Sequence, residues 1–184
     1  MLMVPQSKNP EAESIRREVQ WAWFAGIMDG EGNFNVQVRP GPNGKPYFRP
    51  KIRVANTDVR MIAKVADLFV DENLVFFFNL NNHNVRKFPG RGKGQLNIEI
   101  ASQGSGRKVL ERIIPHLANK KRLAEILLDL ICFVQQMPKG GNTLAIDYVN
   151  DPEFIRLRAE FDKEAKWYLD PSTTTRRARE RLSW

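Results

Sequence analysis

The 184-residue chain has a single cysteine, so no intrachain disulfide framework can form and a reducing compartment inside the cell, cytoplasm or organelle, is expected. That residue, Cys132, lies in an apolar helical run and reads as a small core side chain. Two histidines, His83 and His116, stand far apart and no CxxC pair is present, which excludes a zinc site of the usual spacing. Apolar runs are short or broken by charge. The N-terminus, with Pro5, Lys8 and Pro10, has no signal-peptide hydrophobic stretch, so no membrane partner is expected. Acids are missing from two long segments, Asn33 to Asn56 and Asn73 to Ile98, whereas bases are not: Arg39, Lys45, Arg49, Lys51 and Arg53 lie in the first. The second holds Arg86, Lys87, Arg91 and Lys93. With 29 Lys and Arg against 21 Asp and Glu, the net charge is +8. The sequence pI is near 9.8. Since the bases are segregated from acids in these segments, the pattern points to a surface for a polyanion.

What is present centres on Trp21 to Phe34, WAWFAGIMDGEGNF, an apolar helix end followed by two acids set between glycines and then a strand. Ala22, Gly26 and Gly30 recur every fourth position, leaving one helix face almost bare, so that another backbone can approach closely. Gly30 and Gly32 are poor interior helix residues and good left-handed terminators, so the helix is expected to end around Asp29 and Glu31. A carboxylate there adds to the negative end of the helix dipole, a conflict that a cation relieves. An ordinary helix cap with solvated acids fits the same residues.

Phe24-Ala25-Gly26-Ile27-Met28-Asp29-Gly30-Glu31-Gly32 resembles the LAGLIDADG motif of the homing endonucleases in its DGEG form. The resemblance implies that two motif helices pack together through Ala22, Gly26, Asp29 and Gly30. It makes Glu31 a ligand for Mg²⁺, with Mn²⁺ able to substitute, the carbonyl of Gly30 a further metal contact, and Asp29 the more structural acid. No second copy of the motif occurs, since LFVDENL and LLDLICF lack its glycines, so the partner is a second copy of the chain. The implied fold is α+β, an αββαββα LAGLIDADG arrangement with additional C-terminal helices, whose antiparallel sheet forms a saddle for DNA. By the same resemblance Asn56, Arg60 and Lys120 join Glu31 in catalysis, with Lys121 an alternative register for Lys120. The implied activity is site-specific cleavage of double-stranded DNA at a long, pseudopalindromic target, associated with an intron or intein. A non-cleaving relative, such as an intron maturase or a transcription regulator, is the second reading; RNA binding is the less favoured partner choice.

Periodicity supplies the rest. Residues 1–13 are polar and aperiodic and read as a flexible tail before a single domain spanning 14–184. Ser14 reads as the cap of the motif helix, with Ile15, Val19, Trp23 and Ile27 as its apolar stripe. Asn33 to Arg39 alternates around Phe34, Val36 and Val38. The turn residues PGPNGKP lead to a second alternating strand in which Arg49, Lys51 and Arg53 oppose Ile52 and Val54. Asn35, Gln37 and Arg39 then share one face with Arg49, Lys51 and Arg53, which suits a major groove. Asn56-Thr57-Asp58 caps a helix built on Ile62, Val65, Ala66, Leu68 and Phe69. Arg60 is at the wrong end of that helix for a cation, so a local anionic partner is expected.

Asn73 to Leu80 and Gln95 to Ala101 read as a second strand pair joined by a basic, glycine-rich loop that orders on a partner. Asn79, Asn81, Gln95 and Asn97 would extend the reading face, with Arg91 and Lys93 on phosphate. Glu99 could accept from cytosine, although an ordinary surface role is favoured. Phe76, Phe77 and Phe78 read as core in preference to a stacking platform. Three helices follow: Arg107 to Leu117 with a kink at Pro115, a longer one from Lys120 stopped by Pro138 and Gly140, and one started by Asp151-Pro152-Glu153. In the tail, Thr173 and Thr174 suit phosphate oxygens at a helix start, and simple N-capping equally well.

Overall fold

Asn9 and Pro10 start the first helix: the Asn9 side chain accepts from the Glu11 amide at 3.1 Å, and proline follows where a missing N–H does no harm. The computed structural model describes residues 9–40, 46–81, 94–137 and 148–169. Helix α1 therefore runs Pro10–Gly30, five residues longer at its N-terminus than a cap at Ser14 would give, and residues 10–13 of the expected tail belong to it. It buries Trp21, Phe24, Ala25 and Met28, and Phe24 meets Phe69 edge-on at 5.2 Å. The stripe expected to face the core lies elsewhere. Ile15, Val19 and Trp23 are 59%, 63% and 39% exposed, and of the four only Ile27 touches the core. Both sides of α1 carry apolar residues, so period alone could not choose between them.

Strands β1 (Gly32–Pro40) and β2 (Pro46–Asn56) form the first hairpin, with Asn35 opposite Lys51 and Gln37 opposite Arg49. Helix α2 (Val59–Asp71) starts on Asp58, whose carboxylate accepts from the Arg60 amide, and buries Ile62, Val65, Leu68 and Phe69. It ends in a left-handed turn at Asn73, φ 52°, where the Asn73 amide bonds Val70 and the Leu74 amide bonds Phe69. This closing motif uses up residues assigned from sequence to the next strand, so β3 is only Phe77–Asn81. Strand β4 (Gln95–Ile100) pairs with both β2 and β3, giving an antiparallel sheet in the order β1-β2-β4-β3. One face, through Phe34, Val36, Phe48, Ile52, Val54, Ile98 and Ile100, lies on the helices; the other is polar and basic.

Helix α3 (Gln103–Ile113) is capped by Ser102 and continues into a 3-10 turn, Ile114–His116, at the expected Pro115 kink. Helix α4 (Lys121–Gln136) buries Leu123, Ala124, Ile126, Leu127, Leu130 and Ile131, while Cys132 is only half-buried, not the core residue expected. Helix α5 (Pro152–Leu169) starts on Asp151, whose carboxylate accepts from the Glu153 amide, and buries Phe154, Leu157 and Phe161. Its Arg158 donates to the Val36 carbonyl at 3.1 Å, which blunts the open edge of β1. The stop expected at Pro138 and Gly140 lies outside the described residues. No described helix is long and apolar enough to cross a membrane.

Candidate active site and nucleic-acid interface

The end of α1 and the start of α4 exchange opposite charges. The Asp29 carboxylate accepts from three consecutive backbone amides, Ala118 at 2.7 Å, Asn119 at 3.1 Å and Lys120 at 2.9 Å, so it neutralises the positive end of α4. In return the Lys120 ammonium donates to the carbonyls of Met28 at 2.8 Å and Gly32 at 2.7 Å, at the negative end of α1. The cation that this helix end calls for is thus supplied from within the chain. Asp29 is a structural acid, as the resemblance implies. Its carboxylate is taken up by these bonds to the chain's own backbone.

The glycines act differently from the expectation. Gly30 is the last helical residue, Glu31 follows at φ −117°, and neither Gly30 nor Gly32 adopts a left-handed φ. Gly32 is required by proximity: a Cβ there would stand 2.6 Å from the Met28 Cα. A Cβ at Gly26 or Gly30 would meet nothing within 4 Å, because both lie on the exposed face of α1 with Ile15, Val19, Ala22 and Trp23. At 100° per residue these positions share one side of the helix, opposite Trp21, Phe24, Ala25 and Met28.

Glu31 stands between this open helix face and the sheet. Its carboxylate is exposed and receives the Asn56 side-chain amide, while the Asn56 carbonyl accepts from the Asp58 amide at 2.7 Å. Asn56, at the last position of β2, therefore ties Glu31 to the start of α2. Arg60 finds its anionic partner in Asp58, with Nε at 3.3 Å, and remains 91% exposed. That contact, led by the Arg60 side-chain hydrogen bond, holds the Asp58 carboxyl below its usual range. Among the described residues no group of three or more His, Cys, Asp or Glu is placed to hold a metal. With Asp29 engaged, one chain offers a single free carboxylate at this point. A hard cation that keeps several waters needs only one or two carboxylates plus a phosphate, so an exposed carboxylate such as Glu31 fits such an ion.

The outer sheet face carries Asn35, Gln37, Arg49, Lys51 and Arg53 side by side across β1 and β2, as the alternation predicts, with Arg39 opposite Tyr47 at the far end. Asn79 faces Asn97 and Asn81 faces Gln95 on the other two strands. Gln37 and Asn97 each have a buried side-chain oxygen with no hydrogen-bond partner among the described residues. Glu99 departs from the surface role favoured for it. It is 5% exposed and lies 3.1 Å from the Lys51 ammonium and 3.5 Å from the Arg49 guanidinium. Of the run Phe76, Phe77 and Phe78, expected to be core, only Phe76 packs there; Phe78 is 52% exposed, and Phe77 lies under Arg49 at 5.3 Å on the polar face. Strand alternation could have placed Glu99 and Phe77 on that face, but nothing in the sequence reveals that they hold Arg49 between them. Arg91, Lys93, Thr173 and Thr174 lie outside the described residues.

No protein-family model matches the sequence, and no curated protein matches it. Solved structures do. The homing endonuclease I-CvuI, in complex with its target in the presence of Ca, is 17% identical, with 82% of each chain covered and a TM-score of 0.57. The archaeal intron-encoded homing endonuclease I-Vdi141I, complexed with DNA, is 13% identical over 83% of this chain and 85% of that one, TM-score 0.54. The meganuclease I-SmaMI, bound to uncleaveable DNA, is 13% identical at TM-score 0.53, and the match covers 89% of this chain but 49% of that one.

Proposed function

We propose, taking as premise that the chain has the fold of the LAGLIDADG homing endonucleases, that it is a site-specific endonuclease for double-stranded DNA working as a homodimer with a divalent metal, Mg²⁺ or Mn²⁺. The observation that carries this reading is the position of Glu31. A lone exposed carboxylate sits where an open helix face meets a basic sheet face, and without a cation it would repel any phosphate brought there. The open face of α1 supports completion by a second copy, as does the match of this fold to half of the longer I-SmaMI chain. Two copies would then place two Glu31 carboxylates near one axis and two basic sheet faces along one duplex, which suits a pseudopalindromic target. Mobility of an intron or intein that encodes the protein is the biology we infer with it.

Phosphodiester hydrolysis requires an activated water, stabilisation of charge at phosphorus and protonation of the leaving O3′. A bound divalent ion supplies Lewis acidity and a more acidic water. The chain's own residues do the positioning. Glu31 would hold the ion, Asn56 fixes the direction of its carboxylate, and Lys120 clamps the Met28 and Gly32 carbonyls at the turn that carries Glu31. Arg60, exposed beside the first turn of α2, can swing from Asp58 to a phosphate oxygen.

Incubating the protein with a randomised duplex pool and Mg²⁺, then sequencing the cut ends, tests the proposal. Ends sharing one long, two-fold related motif support it. Specific retention of duplexes without cutting, in Mg²⁺ and Mn²⁺ alike, would make the chain a binding protein.

A further inference from the structure

Glu99 is the only acid in the four strands, and it is buried on the face that carries the bases. A carboxylate is not buried in such a place without a return, since its desolvation has to be offset by close cations. Two are present, Lys51 and Arg49. Arg49 is gripped a second time, because its guanidinium lies over the Phe77 ring at 5.3 Å. Beyond Arg49 a notch of about 270 Å³ opens on the same side of the sheet, lined by Tyr47, Arg49, Val75, Phe77, Ala101 and Ser102. Tyr47, Val75 and Phe77 leave apolar surface exposed there, continuous with the basic face.

We propose that Arg49, held by Glu99 and Phe77, is a preorganised reader of one guanine in each half of the target, and that the notch beside it receives the methyl group of an adjacent thymine. The inference rests on the DNA-binding reading above and names a subsite within it. An arginine has five donors in a rigid fork, and the contact with Glu99 is an ion pair at 3.5 Å, so enough donors remain for guanine O6 and N7. Thymine differs from the other bases in the major groove by a C5 methyl, which an apolar notch recognises and a charged surface does not. Because Arg49 is already ordered, it loses less freedom on binding than a solvated arginine, and a misplaced acceptor is rejected more sharply. Among the described residues Arg53 makes no ion pair or ring contact of this kind, so it is expected to be the less selective of the two.

The test uses wild-type protein, the duplex recovered from the random pool, and EDTA to separate binding from cutting. Each guanine is replaced in turn by 7-deazaguanine, which lacks the N7 acceptor. One position per half-site should weaken binding by roughly 5- to 150-fold, the range of a good bidentate pair. Arg49→Ala should lose its sensitivity at that position and no other, and uracil in place of the neighbouring thymine should weaken wild type but not Phe77→Ala. Glu99→Gln should discriminate less at the same position yet bind non-target duplex more tightly, because it removes a negative charge from the interface. A merely structural Glu99 would weaken both, and Glu99→Asp should restore discrimination. Retention of every 7-deazaguanine effect by Arg49→Ala would overturn the subsite. Failure of wild type to prefer any duplex would instead overturn the DNA-binding reading itself.

Discussion

Asp29 and Glu31 are two residues apart at one helix end, and their surroundings could hardly differ more. Asp29 turns inward and meets three amides of the chain ahead of α4; Glu31 turns outward and meets one side-chain amide from Asn56. The first carboxylate is consumed by architecture and the second stays exposed. The contrast is sustained by Gly32, where the missing side chain lets β1 leave the helix close to Met28. A functional group can thus be recognised by what its near neighbour has already been given.

The largest expected effect separates the two acids by activity. Glu31→Gln should lower metal-dependent cleavage by roughly 10²–10³-fold or more, by analogy with removal of other charge-stabilising groups, while the melting temperature and DNA binding in EDTA stay at wild-type values or better. Cutting at the wild-type rate would remove Glu31 from the metal site. Gly26→Leu should come next. It fills the open face of α1, where the monomer has room, so it should leave the fold intact and weaken dimerisation by about 1–3 kcal/mol per subunit. Light scattering at micromolar concentration should move from twice the 21.2 kDa chain mass toward one. An unchanged dimer would exclude this face.

Asp29→Asn should do the reverse of Glu31→Gln. The amide keeps one acceptor and presents N–H groups to backbone N–H, so stability should fall by about 2 kcal/mol in a denaturant titration. Lys120→Met joins the same two elements, and the double variant should lose less than the sum of the singles. Strict additivity would mean that the two bonds act separately. The smallest effect concerns a third acid at a helix end, Asp58. Its folded pKa is lowered from 3.8, chiefly by Arg60, so its contribution is complete above that value and is lost as pH falls through the lower folded one. Asp58→Asn keeps the cap acceptor without the charge. Its stability deficit against wild type should therefore shrink between about pH 5 and about pH 2. A deficit that is constant with pH would show that only the neutral hydrogen bond matters.

The element order and the outward row of Asn35, Gln37, Arg49, Lys51 and Arg53 were legible because strand alternation depends on neighbours alone. The cap at Asp58 was legible from propensity, and Asn56 and Arg60 stand on either side of it; the catalytic roles that the resemblance implies for them belong to the proposal. What escaped depended on the tertiary environment. Asn9 and Ser14 are both good caps, and only Pro10 in the first turn could have decided between them. Ile15, Val19 and Trp23 look like core by spacing, but they lie on the face of α1 turned away from this chain's own core. Asn73 read as strand because its left-handed turn arises from closing α2 over Leu74. The burial of Glu99 and the exposure of Phe77 invert composition rules, since each is placed by Arg49, a residue on another strand.

The exchange between Asp29 and Lys120 also has a bearing on the order of folding. Its backbone bond joins residues 91 apart, so it closes late in a chain whose hairpins and helices form from nearer contacts. Until it closes, the turn that carries Glu31 lacks its tie to α4, and a partly folded chain has the basic surface without the set geometry beside it. Interactions absent from the transition state govern unfolding speed, so weakening this one should hasten opening while leaving refolding nearly as fast. This end of the helix would then be the last part of the molecule to assemble and the first to come apart.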